Sequence, residues 1–193
     1  YNSSANKFYI DVSMNLLHAQ KGLCAYTEIR LCNEDLIAED NWSEGCYNNH
    51  KPEIFGQLDH FDPKLKKEKA WLWDNMFIVH SDINTKVKGK KEVDYLMKPD
   101  TKDYDEVKLL EYDCDKNVFI ANSKLTKDLQ KRINDMILKL GINYDPVLDR
   151  RRRFLSDKLL QIKLNIETWE SIKIDEFPTA FTMCKIQQKN SSS

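Results

Sequence analysis

Hydrophobic and polar positions along this chain follow two different periods, and the places where the period changes mark its predicted elements. Residues 7–21, KFYIDVSMNLLHAQK, carry apolar side chains at helical spacing and stop at Gly22, a residue suited to a helix C-cap. The next stretch, 33–52, has loop composition. Short strands are predicted at 55–61 and 75–79, followed by a short helix over 81–89. Within 97–122, VKLLEY and VFIA flank the turn-like DCDKN, the pattern of a hairpin. Leu125, Leu129, Ile133, Met136, Ile137 and Leu140 then recur at helical spacing up to Gly141. Asp145-Pro146 reads as an N-cap followed by proline at the first helical position, opening a long helix with Leu148, Phe154, Leu155, Leu159 and Ile162. No internal repeat or low-complexity tract interrupts this order. The chain is therefore read as α+β, one domain of 193 residues with a first part near 22–91 and a second near 97–183.

Composition narrows the setting. Charged residues make up 32% and hydrophobic ones 41%, a globular balance, while 30 Lys+Arg against 31 Asp+Glu leave a formal charge of -1. Such a balance excludes a protein that coats nucleic acid through bulk positive charge, although KLKKEK at 64–69 and RRRR at 150–153 are local basic clusters. No apolar run approaches the roughly 20 residues that cross a bilayer, and no secretory signal pattern opens the chain, so the expectation is a cytosolic protein. The five cysteines (24, 32, 46, 114 and 184) form no C-x-x-C pair, which argues against a disulfide framework or an all-cysteine zinc ribbon. Trp71 and Trp73 are expected in the core, and His18 and His50 carry no recognisable pattern.

One dipeptide stands out. Asp59-His60 ends the first predicted strand, Asn75 opens the second, and Asn84 falls in the helix after it. A buried Asp-His pair is costly unless both groups have partners, so it marks either a structural network or a chemical task. A strand ending in Asp-His, a loop, a second strand and a helix returning an oxygen ligand resembles the ββα-metal finger of HNH nucleases. That resemblance implies a role for each residue. His60 would be the general base, with an ordinary pKa of about 6.5 suited to neutral pH. Asp59 and Asn84 would offer oxygens to Mg²⁺ or Mn²⁺, hard cations that accept carboxylate and amide ligands and keep several waters. Asn75 would tie down the inter-strand loop and orient the histidine. Lys64, Lys86 and Lys88, and the helix residues Arg150 and Arg151, would contact nucleic-acid phosphates; a solvated helix face is the plainer reading of the arginines.

The likeness extends along the chain. GLCAYTE at 22–28, LDHFDPK at 58–64, WLWDNMFIVHSDINTKVKG at 71–89 and LGINYDPVLDRRRRFL at 140–155 occur in the order seen in the bacterial HNH family that includes the nuclease component of Septu-type and retron-associated anti-phage systems. The similarity covers about 22–183 and implies a DNA endonuclease, the effector of an anti-phage system, working with an ATPase partner. Family members carry four zinc-binding thiolates where this chain has Cys24, Thr27, His80 and Ile83. Two candidate ligands are too few for a tetrahedral structural site, so structural zinc is not expected. Leu23, Tyr26, Ile78 and Ile83 would clamp the two segments instead. Two alternatives stay open: a non-catalytic interaction module that keeps the finger as scaffold, and an HNH nuclease acting on RNA.

Overall fold

The computed structural model describes residues 8–49, 52–102 and 104–191. The chain forms two compact units, Tyr1–Val93 and Asp94–Ser193, where the sequence suggested one domain with two parts. The architecture is mixed α/β, with three separate antiparallel two-stranded sheets. Among the described residues, no helix is long and apolar enough to cross a membrane.

In the first unit, α1 (Tyr9–Ala19) buries Met14 and Leu17. The loop-like stretch that follows contains a small ribbon, β1 (Trp42–Ser43) and β2 (Cys46–Tyr47), which the composition did not reveal. Its tight turn places Glu44 and Gly45 at φ 51° and 79°, the primed geometry that matches strand twist. Asp11 of α1 anchors the ribbon by accepting the Tyr47 backbone N–H at 2.9 Å.

The principal hairpin is β3 (Gly56–His60) paired with β4 (Met76–His80), in a register running from Gly56↔His80 to His60↔Met76. Gly56 is required by crowding: a Cβ there would lie 2.5 Å from Ile78 Cγ2 and 3.0 Å from Leu31 Cδ1. β4 is apolar on both faces, with Met76, Phe77, Ile78 and Val79 all buried. The helix after it is a π-helix, Ile83–Lys88, closed by the Gly89 N–H donating to the Asn84 carbonyl at 3.0 Å. Trp71 and Trp73 are not core residues. They occupy turns between the strands and are 39% and 47% exposed.

The second unit opens with a short α2 (Glu106–Leu109) where the pattern suggested strand, so β5 (Leu110–Asp113) begins late and pairs with β6 (Val118–Ala121). Asp113 Oδ1 organises the turn by accepting the N–H groups of Asp115 and Lys116 at 3.1 and 2.9 Å. α3 (Lys127–Lys139) is N-capped by Thr126, whose hydroxyl accepts from the Leu129 N–H at 3.4 Å, and it buries Ile133, Met136 and Ile137. α4 (Asp145–Lys163) starts one residue before the predicted position: the extended Tyr144 is the N-cap, and Asp145 sits in the first turn, where its charge complements the helix dipole. α5 (Pro178–Ser191) was not predicted. It buries Ala180, Phe181, Met183 and Cys184.

Candidate active site at the β3–β4 hairpin

The hairpin brings the sequence-predicted residues of the first unit together. Asp59 and His60 end β3 opposite Phe77 and Met76, and both are almost fully buried, at 5% and 3% exposure. Asn75 lies just before β4 and closes the loop between the strands. Its Oδ1 accepts the Asp62 N–H at 2.8 Å and its Nδ2 donates to the Asp62 carbonyl at 3.0 Å, while the Phe61 N–H reaches the Asn75 carbonyl at 2.9 Å. Asn84, in the first turn of the π-helix, is half-buried and donates to Gln57 Oε1 at 3.3 Å. Asp59, His60 and Asn84 border a single open cleft of about 360 Å³ together with Lys66, Thr85 and Lys90. Asp59 and His60, neighbours on a strand, were expected to serve opposite faces; both border this one cleft at the strand's end.

The histidine is held in a defined tautomer. His60 Nε2 lies 2.7 Å from the Ala70 carbonyl oxygen, which can only accept, so Nε2 carries the proton and Nδ1 the basic lone pair. Burial pushes the imidazole below its ordinary 6.5; the Ala70 contact opposes this more weakly, and the positive charge of Lys66 adds to it. The ring is therefore neutral at neutral pH, the state a general base requires.

Asp59 is held still more firmly. Its Oδ2 accepts the Tyr26 hydroxyl at 2.7 Å and pairs with the Lys88 ammonium at 2.9 Å, and that ammonium also donates to the His60 backbone carbonyl at 2.8 Å. Lys88 is 0% exposed. This corrects the sequence reading: a lysine inside the fold, committed to a buried carboxylate, cannot contact phosphate from this position. Lys64 and Lys86 are exposed as expected, but pair with Glu92 at 2.7 Å and Asp82 at 2.9 Å. Lys66 and Lys90 were missed as site residues, although Lys66 falls within the basic cluster at 64–69.

The arginines belong to the second unit. Arg150 binds Glu176 through both edges of its guanidinium, Nε to Oε2 at 2.9 Å and Nη2 to Oε1. Arg151 is corrected outright: at 1% exposure it donates to the carbonyls of Ile142 and Asn117 at 3.0 and 2.9 Å and to Asn143 Oδ1 at 3.1 Å. Its guanidinium also lies over the rings of Phe119, Tyr112 and Phe177, with centroids at 4.8, 5.5 and 5.9 Å. It is a core residue. The spacing contained the signal, since Val147, Arg151 and Leu155 stand four residues apart on one helix face and are the buried residues of α4.

At the positions matching the family's zinc ligands, Cys24 and His80 are brought together: the His80 backbone N–H donates to Cys24 Sγ at 3.3 Å. Burial pushes the Cys24 thiol up, away from the thiolate a metal needs. Thr27 and Ile83 are both buried. The clamp between the segments is more polar than expected. Gln20 donates to the carbonyls of Leu23 and Ile78 at 2.7 and 2.8 Å and accepts the Ile78 N–H at 2.9 Å, and the Ala25 N–H reaches the Ile78 carbonyl at 3.2 Å. Ile78, Ile83 and Tyr26 are buried as the apolar clamp requires, whereas Leu23 is half-buried. His18 contacts the Ile37 carbonyl at 2.9 Å, away from the hairpin residues, and His50 lies outside the described residues.

The donor set suits a hard divalent cation. With Oδ2 of Asp59 taken by Tyr26 and Lys88, Oδ1 is the oxygen left for the cleft, and Asn84 adds an amide oxygen on the opposite wall. Among the described residues there is no cluster of three or more His, Cys, Asp or Glu side chains that could hold a metal. Water and substrate oxygens would therefore complete the shell, as Mg²⁺ prefers.

No protein-family model matches this chain, and no curated protein sequence matches it.

Proposed function

We propose that the chain is a divalent-metal-dependent endonuclease of the HNH type, hydrolysing phosphodiester bonds of DNA with the β3–β4 hairpin and the following π-helix as a ββα-metal site. The observation that carries this reading is the convergence of Asp59, neutral His60 and Asn84 on one cleft flanked by two exposed lysines. His60 Nδ1 takes the proton of the attacking water while Nε2–H, bound to the Ala70 carbonyl, fixes the ring. Asn75 holds the loop beyond the histidine at constant length. Lys66 and Lys90 bind the phosphate backbone, which carries charge but little sequence information. Mg²⁺ or Mn²⁺, held by Asp59 and Asn84, would supply charge stabilisation at the phosphate and the leaving 3' oxygen. By the same family likeness, the biological setting is an anti-phage defence system in which an ATPase partner licenses cutting of phage or plasmid DNA in the cytoplasm.

A second reading has its own support. The Lys88 ammonium neutralises Asp59 from within the fold, as it would in a non-catalytic module that keeps the finger as scaffold. One assay separates the two: plasmid DNA, and in parallel a structured RNA, incubated with Mn²⁺ and the purified chain, alone and with the protein encoded beside it. DNA cleavage that leaves 5'-phosphate ends and disappears in His60→Ala supports the nuclease. Cutting of RNA alone reassigns the substrate, and no cutting under any condition favours the scaffold.

A further inference from the structure

Lys88 is the feature of the cleft that neither the sequence reading nor the proposed mechanism uses. Its ammonium sits inside the fold with two directed partners, the side chain of Asp59 and the backbone carbonyl of His60. A buried carboxylate beside a buried ammonium is a neutral pair, and removing either charge strands the other. Around that pair the charge balance is lopsided. Lys66 and Lys90 border the cleft, whereas the nearby Lys64 and Lys86 are already matched by Glu92 and Asp82. Ligand-free, the cleft therefore presents net positive charge to solvent.

We propose that Lys88 is an internal countercation that sets the order of binding: the phosphodiester enters first, and the divalent cation is retained only once phosphate oxygens are present. This rests on the nuclease reading. A dication approaching Asp59 Oδ1 meets a carboxylate whose charge is compensated and an ammonium on the same group, so two protein oxygens hold it poorly. A phosphodiester meets two exposed lysines and no uncompensated anion. Once bound, it contributes both negative charge and oxygen ligands, and the cation then completes the site. Lys88 also ties the carboxylate of Asp59 to the backbone of His60, so the base and the metal-facing oxygen keep their mutual position while the shell is incomplete.

The test measures Mn²⁺ binding to the full chain by loss of the free-ion electron paramagnetic resonance signal, and binding of a fluorescent DNA duplex by anisotropy. Wild-type protein should bind the duplex in EDTA to within about tenfold of its affinity in Ca²⁺, yet hold Mn²⁺ weakly without DNA. Lys88→Met should tighten Mn²⁺ binding without DNA by on the order of tenfold or more, and Lys88→Arg, which keeps the charge, should not. Tight Mn²⁺ binding by DNA-free wild type, unchanged in Lys88→Met, would overturn the binding order while leaving the nuclease reading intact. Absence of duplex binding, Mn²⁺ binding and cleavage in the wild type would overturn both. If Lys88→Met fails to fold by circular dichroism, mixing order on the wild type decides: DNA-loaded protein met by Mn²⁺ should cut without lag, and a lag there refutes the order.

Discussion

The backbone N–H of His80 donates to the thiol sulfur of Cys24 at 3.3 Å, so two positions that match zinc ligands in the HNH family are joined by a hydrogen bond. The thiol is buried and pushed up in pKa, and Ile83 fills the position of a further ligand. Elemental analysis should find much less than one zinc per chain, and a strong chelator should stop cleavage without lowering the melting temperature by more than a few degrees. One stoichiometric, chelator-sensitive zinc would sink this account. Ile83→Ala, in contrast, should cost about 2–5 kcal/mol in urea unfolding, because it empties a fully enclosed site.

The pH profile of cleavage follows from His60. Burial favours the neutral ring, so its folded pKa lies below 6.5. The base is then fully available above that value, and activity is lost only as pH falls through the lowered pKa. The same shift contributes stability above pH 6.5 that diminishes as pH falls and the unfolded chain takes up the proton more readily. An acid limb centred above pH 7 would remove His60 from the role of base.

Arg150 and Arg151 should behave oppositely despite being adjacent. Arg151→Ala removes a buried cation that satisfies three oxygens, and should destabilise the second unit by about 3–5 kcal/mol. Arg150→Ala breaks a half-exposed pair with Glu176 and should cost about 1 kcal/mol or less. Denaturant midpoints of the two variants compare them directly; equal effects would contradict the placement of Arg151.

Cys114 and Cys184, in the second unit, bring their sulfurs to 2.9 Å, with Cys114 also donating to Gln187 Oε1 at 3.0 Å. Little movement separates this thiol pair from a disulfide, whose bond is about 2.05 Å. Peroxide should link them, two thiols and one peroxide giving one disulfide and two waters, detected as loss of two hydrogens by mass spectrometry and as a crosslinked tryptic peptide. Burial pushes both thiols up, so the reaction should be slow at neutral pH and faster in mild alkali. A peroxide-treated chain in which both cysteines still alkylate fully would contradict the geometry.

Local pattern made much of this fold legible. The β3–β4 hairpin appeared because alternation, Gly56 and the Asp59-His60 step mark its ends, and α3 because its apolar residues recur at helical spacing. α5 was hidden because its buried residues bunch at 180–184 instead of recurring along the helix. Trp71 and Trp73 misled because bulk hydrophobicity says nothing about a side chain held on an exposed turn. Within the site, His60, Asp59, Asn75 and Asn84 could be named from chemistry and spacing. The burial of Lys88 could not, since it depends on a partner 29 residues away in sequence and on a helix type that no residue count announces.

That helix type makes backbone length a determinant of the chemistry. A π-turn spans one residue more than an α-turn between comparable end points, and Ile83–Lys88 uses the extra residue to deliver an ammonium inward instead of to the surface. Deleting Val87 would restore the ordinary count and rotate the lysine by about 100° around the axis. Asp59 would keep every atom it has now and lose its countercharge, so a frameshift within one turn, with no change of composition at the hairpin, is enough to rewire the cleft.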